Sequence, residues 1–282
     1  MFNDYKKSGI IHKLVGSNIK KKLKKGISSL EIVENIENDI KKYCNGNNLE
    51  AGIAFPVGIG INETAAHFTP CKEDNPIIQE NDIVKIDYGV HINGCITDGA
   101  FSWCPSGKWN DLINIAETAT NIGIKNSGID VYLGDLGGLI QEYIESQEIE
   151  IDGKIYSISS VDDLCGHKIS PYIIHAGKAV PNIKLFYYER MLENEVYAIE
   201  TFPTIGKGLN IKTNKCNHFM VNKYDLSIDN IYKKFKTLAF CPRWIDIINS
   251  KYINKYPEIK SDNIVAQYEK TIYIKDKIII LN

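Results

Sequence analysis

The sequence predicts an α+β fold, a mostly antiparallel sheet with helices on its outer face, and three observations lead there. Apolar residues recur at helical spacing near the start of the chain and again in its middle. Short runs rich in Val, Ile and Gly lie between these stretches and after them, as strands do. The run from 83 to 103 is divided by Asn93-Gly94, the pair that best accepts the positive φ angles of a two-residue hairpin.

Residues 4–25 read as a helix with a basic end. A capping box, Ser28-x-x-Glu31, then opens a second helix whose apolar face is Leu30, Ile32, Val33, Ile36 and Ile40. The text changes to glycine-rich apolar runs over 51–68, and the hairpin follows. Helical periodicity returns over 110–126, through Leu112, Ile115, Ala119 and Ile122, and over 131–146, through Leu136, Leu139, Ile140 and Tyr143. Strands dominate afterwards, notably 195–202 and 265–274, with helical spacing over 231–248 between them.

With 282 residues, 44% hydrophobic and 24% charged, the chain has ordinary globular usage, and one compact domain over 1–282 is expected, with a short helical insertion at about 220–255. Thirty-three basic against 35 acidic residues leave a net charge of -2, so no overall field draws the protein to DNA or to an acidic membrane. The run Lys20 to Lys25 reads as a solvated helix end, with RNA or ribosome contact as its alternative. No apolar run is long enough to span a bilayer, and the first residues lack a secretory core, so a cytoplasmic protein is expected. Seven scattered cysteines without a C-x-x-C pair read as reduced thiols with no chemistry assigned.

If Asn93 and Gly94 form the turn, residue 98 pairs with Gly89, and Asp98 becomes a diagonal neighbour of Asp87 on one face. The hairpin leaves two readings open, ordinary polar strand residues or metal ligands. Buried unpaired carboxylates are costly among Val, Ile and aromatic neighbours, and cations would remove that cost. Glu200 in VYAIETFPT and Glu269 in VAQYEKTIYI likewise interrupt apolar strands, while His67, His167 and His175 sit in segments punctuated by Gly and Pro.

The ordered segments GIAFPVGIGINETAAHFTP (52–70), KIDYGVHINGCITDGAF (85–101), GHKISPYIIHAGK (166–178), EVYAIETFPTIGKG (195–208), TLAFCPRW (237–244) and AQYEKT (266–271) carry a resemblance over nearly the whole chain. They resemble the type 2 methionine aminopeptidases of the pita-bread metallopeptidases. The resemblance implies a pita-bread fold and removal of the initiator methionine from nascent polypeptide N-termini whose second residue is small. It implies two divalent metal ions (Mn, Co, Fe or Zn) on Asp87, Asp98, His167, Glu200 and Glu269, a hard ligand set with one imidazole. Glu200 would move the proton of the attacking water, and His67 and His175 would contact the substrate backbone and stabilise the tetrahedral intermediate. Phe55, Ile174, His218, Ala239 and Tyr256 would form the methionine pocket, and His67 marks the position that fumagillin-type inhibitors attack. A monomer is expected.

The chain departs from the family pattern at Lys168 and Pro171, beside the His167 ligand, and at Lys270, after the last one. A charge at 168 is expected to weaken metal binding or alter substrate access. Two rivals remain: an Xaa-Pro aminopeptidase or prolidase, sharing ligands and histidines, and a catalytically silent pita-bread protein that binds RNA or ribosomes.

Overall fold

The computed structural model describes residues 1–282. Helix α1 (Phe2–Lys20) buries Tyr5, Ser8, His12, Val15 and Ile19, a spacing of alternate threes and fours that faces one side. It ends five residues earlier than its basic tail suggests. Consecutive lysines repel one another, and the chain turns through Gly26, which sits at φ +83. Three of those lysines have partners inside the chain: Lys20 lies over the Phe101 ring, Lys22 donates to Asn35, and Lys25 pairs with Glu80. Helix α2 (Ser29–Cys44) begins as predicted, the Ser28 hydroxyl accepting from the Glu31 N–H at 3.1 Å.

The hairpin is also as predicted. Strands β4 (Val84–Ile92) and β5 (Cys95–Trp103) pair along their whole length through Asn93 and Gly94, both at positive φ, and Asp98 faces Gly89. On the other edge of β4 lie β1 (Ala51–Ile53) and β2 (Gly58–Ile61), and the gap between them projects Phe55 toward Gly89. A Cβ on Gly89 would meet the Phe55 ring at 2.3 Å, so only glycine fits there. Ile86, Tyr88 and Val90 pack against α1 and α2, which leaves Asp87 and Gly89 on the opposite face.

Helix α3 (Asn110–Asn126) has the predicted bounds, and α4 (Leu133–Glu145) lies just inside its own. A second antiparallel sheet follows, built from β6 (Cys165–Ile169), β7 (Ala179–Pro181), β8 (Val196–Thr201), β13 (Tyr268–Tyr273) and β14 (Ile279–Ile280) in the order β7-β6-β8-β13-β14. Tyr197, Ile199 and Ile272 pack with Ile124, Leu133 and Leu136 from the α3–α4 region, so Ala198, Glu200, Glu269 and Thr271 face the other way. A small sheet of β3 (Thr64–Ala66), β12 (Ile259–Ser261) and β9 (Asn210–Lys212) ends beside His67.

The expected helical insertion is mostly something else. Its neck is a strand pair, β10 (His218–Val221) with β11 (Ile253–Tyr256), and its only α-helix is α5 (Asp229–Phe235). The chain leaves the helix at Lys236, φ +49, and passes Pro242. The apolar spacing over 231–248 instead records a stack of rings: Phe235 lies 5.1 Å from Phe240 and 6.1 Å from Trp244.

Candidate metal centre

Strand register brings the acids together. Asp98 lies two positions from the residue facing Asp87, and across the second sheet Glu200 stands directly opposite Glu269. Ala198 faces Thr271 on one side and His167 on the other, so His167 is a diagonal neighbour of Glu200. The His167 Nε2 is 3.6 Å from Asp98 Oδ2 and 3.7 Å from Glu200 Oε1. One ligand atom each from Asp98, His167 and Glu269 fall within 4.8 Å of one another.

Nothing in the protein balances this cluster. Asp87 Oδ1, Asp98 Oδ1, Glu269 Oε1 and His167 Nδ1 are buried without a hydrogen-bond partner, although such atoms are rare in native interiors. Burial pushes Asp87 up to about 7, against a hydrogen bond from Gln267. Burial also raises Asp98, Glu200 and Glu269 well above the carboxylate range, each reinforced by other acids of the cluster. The His167 imidazole is driven far down by burial and by His175, hence neutral, as a metal ligand must be. Two carboxylates facing each other across a ladder are destabilising by themselves, and divalent cations supply the missing charge. Four carboxylates and one neutral imidazole therefore fit hard or borderline divalent ions.

The centre opens into a cavity of about 740 Å³ whose lining includes all five expected ligands, His67, His175 and the five expected pocket residues. His67 follows β3 at φ +63, a left-handed conformation rare outside Gly and Asn. Its Nδ1 lies 3.3 Å from the Pro257 carbonyl, and its ring is 5.7 Å from that of Tyr256 and 6.0 Å from that of His218. Burial, with His218 and His175 nearby, pushes His67 down to about 3. His218 faces Tyr256 across the neck strands and bonds the Pro56 carbonyl at 3.1 Å, which places both on the wall with Phe55 and Ala239. His175 stands at the exposed rim, its ring edge-on to His167 at 4.4 Å.

Two concerns raised by the sequence resolve into geometry. Lys168 neighbours His167 in a strand, so it points to the opposite face, where its Nζ donates to Glu195 at 2.7 Å. Lys178 and the Tyr197 hydroxyl share that carboxylate, and Glu195 is held down at about 2 by these bonds against its burial. The added charge is thus paired on the face opposite His167 rather than lying beside it. Pro171 occupies the second position of a turn closed by the Ile173 N–H on the Ser170 carbonyl at 2.8 Å, with Tyr172 at φ +61. That geometry suits proline followed by a positive φ, and it turns the chain so that Ile174 and His175 line the cavity. Lys270 faces away from Glu269's side and donates to the Asn282 carbonyl at 3.0 Å.

One member of the site was missed. Gln267 is 2% exposed, and its Nε2 approaches Glu200 Oε2 at 3.4 Å. Its signal was present in AQYEK: two residues before Glu269, it shares that residue's face.

Residues 3–276 match metallopeptidase family M24. The chain is 37% identical to methionine aminopeptidase 2 of Yarrowia lipolytica, over 97% of this chain and 64% of that protein. It thus spans somewhat less than two thirds of that relative's length. A methionine aminopeptidase of Thermotoga maritima superposes with a TM-score of 0.72 at 18% identity, covering 99% of this chain and 95% of the other. A thermophilic Arx1 superposes with a TM-score of 0.78 at 17% identity, covering 99% and 90%. Both share the fold. With its matched segments running from one end to the other, the chain belongs to metallopeptidase family M24, a family of divalent-metal peptidases.

Proposed function

We propose that residues 1–282 act as one catalytic unit that removes N-terminal methionine from polypeptides with a small second residue. The observation that carries this reading is the crowd of acids, three of them with a buried oxygen that has no partner, and one neutral imidazole at the floor of a cavity walled by Phe55, Ile174, His218, Ala239 and Tyr256. Asp87, Asp98, His167, Glu200 and Glu269 would hold two ions of Mn, Co, Fe or Zn. When bound, such ions lower the pKa of a water and polarise the scissile carbonyl.

The chain's own groups do the rest. Glu200 accepts the proton of the attacking water on a carboxylate oxygen and passes it to the departing amine. His175, at the rim, donates a hydrogen bond to the substrate backbone and to the developing oxyanion, while His67, whose Nδ1–H is held by the Pro257 carbonyl, meets the substrate backbone through its Nε2 lone pair. The apolar wall takes the methionine side chain, and the restriction to a small second residue is the one that the family resemblance implies. No helix is long and apolar enough to cross a membrane, and polypeptide N-termini met in the cytoplasm by a monomer complete this reading.

Offered Met-Ala-Ser and Ala-Pro peptides, the manganese-loaded protein is expected to release free methionine from the first at least about tenfold faster, a difference of roughly 1.4 kcal/mol in transition-state binding. Preferential cleavage of Ala-Pro would instead make it an Xaa-Pro enzyme. A folded protein that binds no metal and cleaves neither peptide would point to a silent binding protein.

A further inference from the structure

The centre draws its residues from two sheets, Asp87 and Asp98 from the first and His167, Glu200 and Glu269 from the second, and strand pairing does not join those sheets. At the seam between β5 and β13, two side-chain hydroxyls take over the role of a ladder. Thr271 Oγ1 accepts from the Asp98 N–H at 2.8 Å and donates to the Asp98 carbonyl at 2.7 Å. Ser102 Oγ accepts from the Gln267 N–H at 2.9 Å and donates to the Gln267 carbonyl at 2.8 Å.

The two staples are reciprocal. A threonine of β13 serves the main chain of β5, and a serine of β5 serves the main chain just before β13. Four residues separate them on each side, which sets an antiparallel register with Ala100 facing Glu269. Where β14 peels away, the Asn282 carboxamide closes the gap, accepting from the Thr271 N–H at 2.8 Å and donating to the Asp98 carbonyl at 2.7 Å. The seam is dry: Thr271 is 0% exposed, Asn282 5% and Ser102 8%.

We propose that Thr271 and Ser102, with Asn282, are positioning residues that set the span between the two halves of the metal centre. The proposal rests on the reading of this cavity as a metal site. Ligand distances must hold to about 0.2 Å for a metal to bind well. A seam without a backbone ladder can slide along the strands. A hydroxyl bonded to both the N–H and the carbonyl of one residue fixes that residue against sliding in either direction, and the residue fixed by Thr271 is Asp98 itself. Neither hydroxyl touches the proposed substrate cavity, so any effect on the site passes through the strand positions.

Titration of the metal-free protein with Mn²⁺ by calorimetry tests this, with thermal melts of the same metal-free samples. Thr271→Val nearly preserves shape and removes both bonds; Thr271→Ser keeps the hydroxyl. The valine variant and Ser102→Ala are expected to bind Mn²⁺ about 10- to 100-fold more weakly than the native chain, and the serine variant to recover most of the loss. Unchanged affinity and stoichiometry in both Thr271→Val and Ser102→Ala overturns the proposal. Should the valine variant unfold, Ser102→Ala decides alone by the same criterion. Failure of the native chain to take up Mn²⁺ would overturn the metal-site reading together with this inference, an outcome separable from normal uptake with unaffected variants.

Discussion

Asp98→Asn is expected to keep the fold, to weaken metal binding and to lower methionine release on the order of 1,000-fold, roughly 4 kcal/mol of transition-state stabilisation. The same substitution is expected to raise the melting temperature of the metal-free protein. Asp98 is held from both main-chain sides by Thr271, so its backbone need not move when the charge is removed. Its carboxylate meanwhile crowds Asp87, Glu200 and Glu269 in a buried space, and losing one charge relieves that repulsion. Activity and apo-stability then move in opposite directions, an outcome that a purely structural role for Asp98 does not give.

The pH dependence follows with a definite sign. Acids whose folded pKa is raised bind more protons in the native state between their unfolded value near 4 and the raised one. For Asp87 the raised value is about 7. Their contribution to metal-free stability therefore falls as pH climbs through that window. Buried neutral histidines such as His12, lowered to about 3, act in the opposite sense and are present with or without metal. The difference in melting temperature between metal-loaded and metal-free protein isolates the acids, and it is expected to widen from pH 5 to pH 7.5 in the native chain and less so in Asp98→Asn.

Arg243→Ala is the largest stability effect expected away from the acids. Glu37 on α2 is buried, and Arg243 grips one of its oxygens through two nitrogens at 2.8 and 3.0 Å, while Trp244 Nε1 takes the other at 3.1 Å. The same guanidinium donates to the Pro70 carbonyl and the Thr69 hydroxyl, three and two residues after His67 in the chain. Removing it strands a buried carboxylate, a loss of about 3–5 kcal/mol and roughly a 10 °C drop in melting temperature at about 2–4 °C per kcal/mol. Burial already raises Glu37 despite Arg243. Without the cation it rises further, so the variant should recover part of its loss near pH 5, and Glu37→Gln added to Arg243→Ala should restore more. A drop below about 1 kcal/mol in thermal unfolding would mean that the pair is not the anchor proposed.

Local chemistry made much of this legible. Asn93-Gly94 fixed a hairpin register, and the register fixed which residues share Asp87's face. Ser28 marked the start of α2, and uninterrupted helical spacing marked α3 to the residue. The 231–248 segment misled because rings stacked at spacings of four and five mimic a helical face. Lys168 adjoins His167 in sequence, yet strand alternation turns the two side chains apart. Residue types alone left the acids open between polar strand positions and metal ligands, and the full ligand set is what the family resemblance implies; the union of two sheets at Thr271 and Ser102 depends on contacts between residues 165 or more apart, which no local pattern encodes.

Asp87, Asp98, His167, Glu200 and Glu269 are expected to hold two divalent ions together. Diffraction from crystals grown with Mn²⁺, recorded on both sides of the manganese absorption edge, tests it directly. Two anomalous peaks about 3.5–4 Å apart are expected, bounded by those five side chains and by no others. One peak alone, or peaks ligated elsewhere in the chain, would contradict it.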